Sequence, residues 1–173
     1  MSVFKSLTAE HRLLWGLVVR LEAAIQEKDE RVARREARGV LLVLLHALEG
    51  HQALEDLVFE SAGDAASPEA LQALAFAGRQ HEGLEALRAE ASGLLEKAAG
   101  PDLAALRPLA ARLSAALRAH FETEERELWP CWNAAASRSS LRALEHRAAH
   151  RVEALKRELR GLWAGVDEYL TGA

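Results

Sequence analysis

The chain has little of what marks most functional classes. Cys131 is its only cysteine, so no intrachain disulfide can form, which fits a reducing compartment. There is no thiol cluster, no glycine-rich phosphate loop and no HExxH zinc-protease motif. The longest apolar run, Val40 to Leu45, is far too short to span a bilayer. Met1 to Leu7 lacks the apolar core of a signal peptide. A net charge of −4 supplies no attraction for nucleic acid. The expectation is a cytoplasmic chain with neither a nucleic-acid nor a membrane partner. β-Branched residues are sparse, which argues against a sheet.

Alanine, leucine, arginine and glutamate dominate, and all favour helix. With 173 residues, 50% of them hydrophobic and 28% charged, the chain can bury the core of a single domain over residues 1–173. Helical periodicity predicts a first helix from an N-cap at Thr8 to about Gln26, with Glu10 complementing the dipole of its first turn. A second runs from Glu30 to Ser61. A third starts at Ser67-Pro68-Glu69 and reaches about Ala98. A fourth follows the Gly100-Pro101-Asp102 break to about Trp132, with Pro108 bending its first turns. A fifth, about 139–171, is capped by Ser139 or Ser140. Its apolar stripe runs from Leu141 through Leu144, Ala148, Val152, Leu155, Leu159 and Leu162 to Val166 and Tyr169 or Leu170. Short linkers make sequential helices antiparallel. The predicted fold is all-α: an up-down-up-down four-helix bundle over about residues 5–135, with an additional C-terminal fifth helix outside it.

Two stretches organise this pattern. One begins His51-Gln52-Ala53-Leu54-Glu55 and the other His120-Phe121-Glu122-Thr123-Glu124. On a helix, positions i and i+4 share a face, so each stretch offers an imidazole and a carboxylate side by side. Single histidines precede them. His11 lies 40 residues before His51, His81 lies 39 before His120, and the two HxxxE units are 69 apart. The unit "His, then HxxxE" therefore occurs twice. His51 and Glu55 fall in the stripe of Val40, Leu44, Leu48 and Val58. His120 and Glu124 fall in that of Leu113, Leu117 and Leu128. Ionisable groups within apolar stripes are costly unless paired or metal-bound. By helical phase His46, His146 and His150 point elsewhere and read as surface residues. Trp15, Trp129 and Trp132 read as packing, Cys131 as a small buried hydrophobe, and Glu85 as a solvated acid.

A lone buried histidine is ordinarily a hydrogen-bonded core residue. Four of them with two glutamates, in a duplicated pattern, point instead to metal ligands: His11, His51, Glu55, His81, His120 and Glu124. Four imidazoles and two carboxylates suit iron, then manganese or zinc. They are too many for one tetrahedral zinc. They suit two metals, each taking two histidines, with Glu55 and Glu124 bridging and positions left open for a small ligand. No histidine has a glutamate three residues before it, which argues against a ferritin-like site.

The order His11, His51/Glu55, His81, His120/Glu124 resembles the hemerythrin-like, or HHE cation-binding, domain family. Leu128-Trp129-Pro130 resembles the apolar ending of that family's second motif, and Leu57-Val58-Phe59 is a looser version after the first. The resemblance covers roughly residues 5 to 135. It implies a non-haem di-iron centre with oxo or hydroxo and carboxylate bridges. Oxygen-carrying members have five histidines, with HxxxH on the third helix. Here Ala77 and Glu85 stand four residues either side of His81. The chain is closer to the four-histidine, two-glutamate branch, associated with oxidative and nitric oxide stress. That implies a small diatomic or peroxide ligand, bound or turned over, with peroxide decomposition as the enzymatic version. The alternatives are a non-enzymatic iron, oxygen or redox sensor or iron-handling module acting through a protein partner, and a metal-free structural bundle.

Overall fold

The computed structural model describes residues 3–60, 68–96, 101–135 and 138–171, and among them every element is helical. The helices are α1 (Val3–Ile25), α2 (Glu30–Glu60), α3 (Pro68–Leu95), α4 (Leu103–Thr123), a π-helical turn (Glu124–Leu128), α5 (Trp129–Ala135) and α6 (Arg138–Thr171). No described helix is long and apolar enough to cross a membrane.

Local chemistry sets several ends. Asp29 Oδ1 accepts from the backbone N–H groups of Arg31 and Val32, capping α2. Asp102 Oδ1 accepts from Ala104 N–H at 3.0 Å and caps α4. α1 and α3 have no basic residue in their last turns. Arginines of other helices serve their orphan carbonyls: Arg107 reaches Ile25 O, and Arg38 donates to Leu95 O at 2.6 Å. Pro108 lies inside α4 without ending it.

Two expected starts are corrected. α1 begins at Val3, and Thr8 lies inside it, donating from Oγ1 to Phe4 O. Burial of Val3 and Leu7 in a continuation of the apolar stripe outweighs the capping preference of Thr8. α6 begins at Arg138, so Ser139 and Ser140 lie within the helix rather than at its cap. The Ser67 cap falls outside the described residues, as do the side chains of Val166, Tyr169 and Leu170.

α1 packs on α2 and α4, α3 packs on α2 and α4, and α6 lies along α2 and touches α1. The buried apolar residues form two clusters. The larger joins Leu14, Leu21, Val40, Leu44, Leu84, Leu94, Leu106, Leu113 and Leu117, with Leu155 and Leu159 of α6. The smaller joins Val3, Leu7, Leu54, Val58, Ala77, Leu128, Trp129 and Trp132, with Leu144, Ala148 and Val152 of α6. A polar layer separates them. His11 lies between Leu7 and Leu14, His51 between Leu48 and Leu54, His81 between Ala77 and Leu84, and His120 and Glu124 between Leu117 and Leu128. α6 comes very close to α2 at Gly50, where an added Cβ would lie 2.3 Å from a Leu155 methyl.

Candidate metal centre

All six predicted residues are buried and meet in the polar layer. Glu55 is 1% exposed and Glu124 0%. Glu55 lies at the middle. Its Oε1 is 2.6 Å from His51 Nε2 and 3.8 Å from His11 Nε2. Its Oε2 is 3.0 Å from His81 Nε2 and 3.6 Å from His120 Nε2. Glu124 Oε2 lies 3.3 Å from His11 Nε2 and 3.7 Å from His120 Nε2. The donor atoms form two overlapping sets, His11–His51–Glu55–Glu124 and Glu55–His81–His120–Glu124, each with all its atoms within 4.8 Å of one another. Both carboxylates belong to both sets.

These atoms lack ordinary partners. Both oxygens of Glu55, both of Glu124, and Nε2 of His11, His51 and His81 are buried without a hydrogen bond. Such orphans cost on the order of 1–3 kcal/mol each when neutral and more when charged. With Nδ1 of His51 donating to Glu10 Oε2 at 3.0 Å, its Nε2 presents a lone pair to a carboxylate oxygen. Two electron-rich atoms so close require a cation or a proton between them. A set of imidazole nitrogens and carboxylate oxygens aimed at a common point fits a divalent metal.

Without metal, protons fill the role. Burial lowers the His51 pKa, but Glu55 and Glu10 outweigh it and hold the imidazole at about 9. Burial likewise works against the Glu55 carboxylate, yet the His51 charge keeps it well below the usual range. Glu124 goes the other way: burial, then the charges of Glu55 and Glu125, push it well above that range. His11 is lowered, by burial first and by the charge of His51.

Sequence reasoning missed several neighbours of the centre. Glu10 is no dipole complement; it is buried and accepts from His51 Nδ1. Its position in the stripe between Leu7 and Leu14 was a signal for this. Glu125 Oε1 accepts from His11 Nδ1 at 2.8 Å, and α-helical phase alone gives no hint of that bond. The His11 ring stacks with Phe121 at 3.9 Å and with Trp129 at 4.8 Å between centroids. Phe59 lies beside His81.

The other readings separate cleanly. His146 and His150 are exposed. His46 is half-buried rather than free, 3.2 Å from Glu158 of α6. Glu85 has a 60% exposed side chain and pairs with Arg88, outside the centre. Cys131 is half-buried at the edge of the smaller cluster. Trp15 is partly buried against the larger cluster, with Arg118 over its ring.

A small cavity opens beside the layer between α2 and α3. Its walls include Gln52, Glu55, His81, Leu84, Arg88 and His120. The space open to water centres is about 10 Å³, room for roughly one water. Searches of protein-family profiles, curated proteins and solved structures found no match to this chain.

Proposed function

We propose that this chain is a hemerythrin-like protein whose polar layer holds two iron ions and binds or turns over a small oxidant: dioxygen, hydrogen peroxide or nitric oxide. One observation carries the reading. Two sets of buried donors share Glu55 and Glu124, so each carboxylate can span two metal positions, and each position has its own histidine pair. The same reading makes α1 to α4 an up-down-up-down four-helix bundle. In support, α1 and α3 pass from the smaller apolar cluster to the larger, while α2 passes the other way, as does α4 once continued through the π turn into α5.

In this reading His11 and His51 hold one ion, His81 and His120 the other, and Glu55 and Glu124 lie between. Bound iron would supply redox change and open positions for a small ligand. Manganese or zinc would fit the same donors as substitutes. The protein's part is to hold the donors in place and shield them from bulk water. Phe121 and Trp129 fix the His11 ring by stacking, and the two apolar clusters exclude water above and below the layer. Glu124 gives up its proton on loading, so loading releases protons and tightens as pH rises.

The test is metal content per chain with a visible spectrum of air-exposed protein, beside Glu55→Ala/Glu124→Ala. Close to two irons per chain, with charge-transfer absorption lost in the double variant, is expected. Absence of bound metal after anaerobic ferrous loading of a helical protein would sink the reading. Turnover is tested separately: iron-loaded protein should speed peroxide loss beyond free iron and beyond His120→Ala.

A sensor reading has its own support. α6 lies against α2 at Gly50, next to His51, and His46 pairs with Glu158 of α6. Occupancy of the layer would thereby reach an outer surface available to a protein partner. Equal protease sensitivity of α6 with and without metal would remove that mechanism.

A further inference from the structure

We infer that His146 and His150, on the outer face of α6, form with Glu153 an open surface site for a late first-row divalent ion, zinc or copper(II). The site lies outside the polar layer, and its chemistry does not depend on what that layer holds.

Histidines four residues apart on a helix share a face, and such a pair can hold one zinc ion between its rings. Glu153 follows His150 by three residues, so at about 100° per residue all three positions fall within an arc of about 60°. They lie away from Leu144, Ala148, Val152 and Leu155, which seat α6 on the bundle, and all three are exposed. The two imidazole rings are 4.8 Å apart between centroids, at 88° to each other. A metal about 2.0–2.1 Å from one nitrogen of each ring, with the two bonds roughly 90–110° apart, sets the ring centres about 4.5–5.2 Å apart. The pair is therefore already at chelating distance. The same edge-on arrangement recurs in the polar layer, at 4.8 Å for His11 and His51 and 4.9 Å for His81 and His120.

Unlike His46, which is held by Glu158, neither imidazole of the pair has a hydrogen bond or ion pair among the described residues. The Glu153 carboxylate accepts from Lys156 Nζ at 2.8 Å, and that bond and charge hold its pKa below the usual range. Glu153 therefore offers an ionised oxygen ligand. The side chains of that ion pair are 60% and 52% exposed, so water screens it and a metal can draw the carboxylate away. Arg142 and Arg157, both exposed, flank the site one turn before His146 and one turn after Glu153. Their charges oppose ions held by oxygen ligands and charge alone, such as magnesium and calcium. Two neutral imidazoles favour zinc and copper(II) instead. Three protein ligands leave a fourth position facing solvent, open to water or to a ligand from another molecule.

The experiment uses the untagged full chain, with helicity checked by circular dichroism. Its first probe is immobilised copper(II), which reaches exposed imidazoles and cannot reach the buried ones. Wild type should be retained. His146→Ala and His150→Ala should each lose most of that retention, and the double variant should lose little more, because one ion needs both rings. The second probe is free copper(II), read by paramagnetic broadening of the backbone amide NMR signals of residues 146–153. The affinity read there should fall at least about 10-fold in either single variant, since the second ring acts as an intramolecular ligand, and several-fold in Glu153→Gln. Zinc should compete for the site and magnesium should not. Retention unchanged in the double variant, additive half-losses from the single variants, or the same broadening with and without the pair would overturn the inference. Glu153→Gln with wild-type affinity would overturn the three-ligand assignment. Loss of metal from the polar layer alters none of these readings, so the surface site and the buried centre fail independently.

Discussion

The two HxxxE units are near-copies in sequence and differ in structure. His51-to-Glu55 lies within the uninterrupted α2. His120-to-Glu124 ends where α4 passes into the π turn, with Trp129 N–H donating to Glu124 O five residues back. In the first unit the imidazole and carboxylate come within 2.6 Å, and in the second they stay 3.7 Å apart. Glu55 is surrounded by all four imidazoles and is held ionised. Glu124 has two imidazoles nearby, and burial, then the charges of Glu55 and Glu125, push its pKa well above the usual carboxylate range. The motif sets which face a carboxylate occupies. Its surroundings set its charge.

The sharpest break in that symmetry is the stability of the metal-free protein. Glu55→Gln leaves the buried His51 imidazolium without its closest counter-charge, and should cost about 3–5 kcal/mol. Glu124→Gln replaces a carboxyl group whose burial favours its neutral form by an amide of similar shape, and should change stability by less than about 1 kcal/mol. Urea unfolding of both metal-free variants at neutral pH checks the contrast. Equal losses would mean that the two carboxylates carry the same charge.

The pH dependence sharpens it further. His51 has its pKa raised from 6.5 to about 9, so its contribution is fully present below 6.5 and is lost as pH rises through 9. That loss is of the order of 3 kcal/mol. Glu124 is also raised, so above 4.5 the folded state holds a proton that the unfolded state has released, and stability again falls with rising pH. Glu55 is depressed, so its contribution is present above 4.5 and lost on acidification. Metal-free protein should therefore lose stability from pH 6.5 to 9. In Glu55→Gln the alkaline loss should shrink, because His51 no longer has its main reason to stay charged. Thermal melts across that range give the answer.

A smaller effect concerns only the first unit. Gly50, just before His51, lets α6 approach α2, and a methyl there must displace the buried Leu155 side chain. Gly50→Ala should cost about 1–3 kcal/mol by overpacking. Gly93→Ala, where nothing lies near the added carbon, should be neutral or stabilising. If the two behaved alike in denaturant, α6 would not be seated on α2 as described.

Much of this was legible because burial and periodicity agree. Leu48, His51, Glu55 and Val58 share a stripe, so the ligands of the first unit could be placed on the core face from spacing alone. His11 and His81 were reachable through the repeat. Thr8 misled because a capping preference of about 1 kcal/mol is weaker than burying Val3 and Leu7. Glu10 was visible in its stripe but was assigned to a helix end that lies elsewhere. The π turn was hidden, since no local propensity marks it. Its trace was the tryptophans. At 100° per residue Trp129 and Trp132 would point about 180° and 120° away from His120. Both are buried. One extra residue in the turn subtracts about 100° and brings both inward.

An inserted residue can be removed, with the smallest expected effect on stability and the most direct bearing on the two units. Arg126 is exposed and lies within the π turn. Deleting it should let His120 to Ala135 run as one regular α-helix while α5 keeps its orientation. Leu128, Trp129 and Trp132 would then stand about 7, 8 and 11 steps from His120, all on its side of a regular helix. Stability of the metal-free protein should change by less than about 1 kcal/mol, and near-ultraviolet circular dichroism from the tryptophans should persist. The change falls on Glu125, which the π turn brings to His11. The deletion should weaken metal binding at the His11/His51 position about as much as Glu125→Ala does. A deletion that unfolds the protein, or scatters the tryptophan signal, would show that the π turn does more than insert one residue. If folding and metal affinity were both unchanged, the turn would not be what separates the second HxxxE unit from the first.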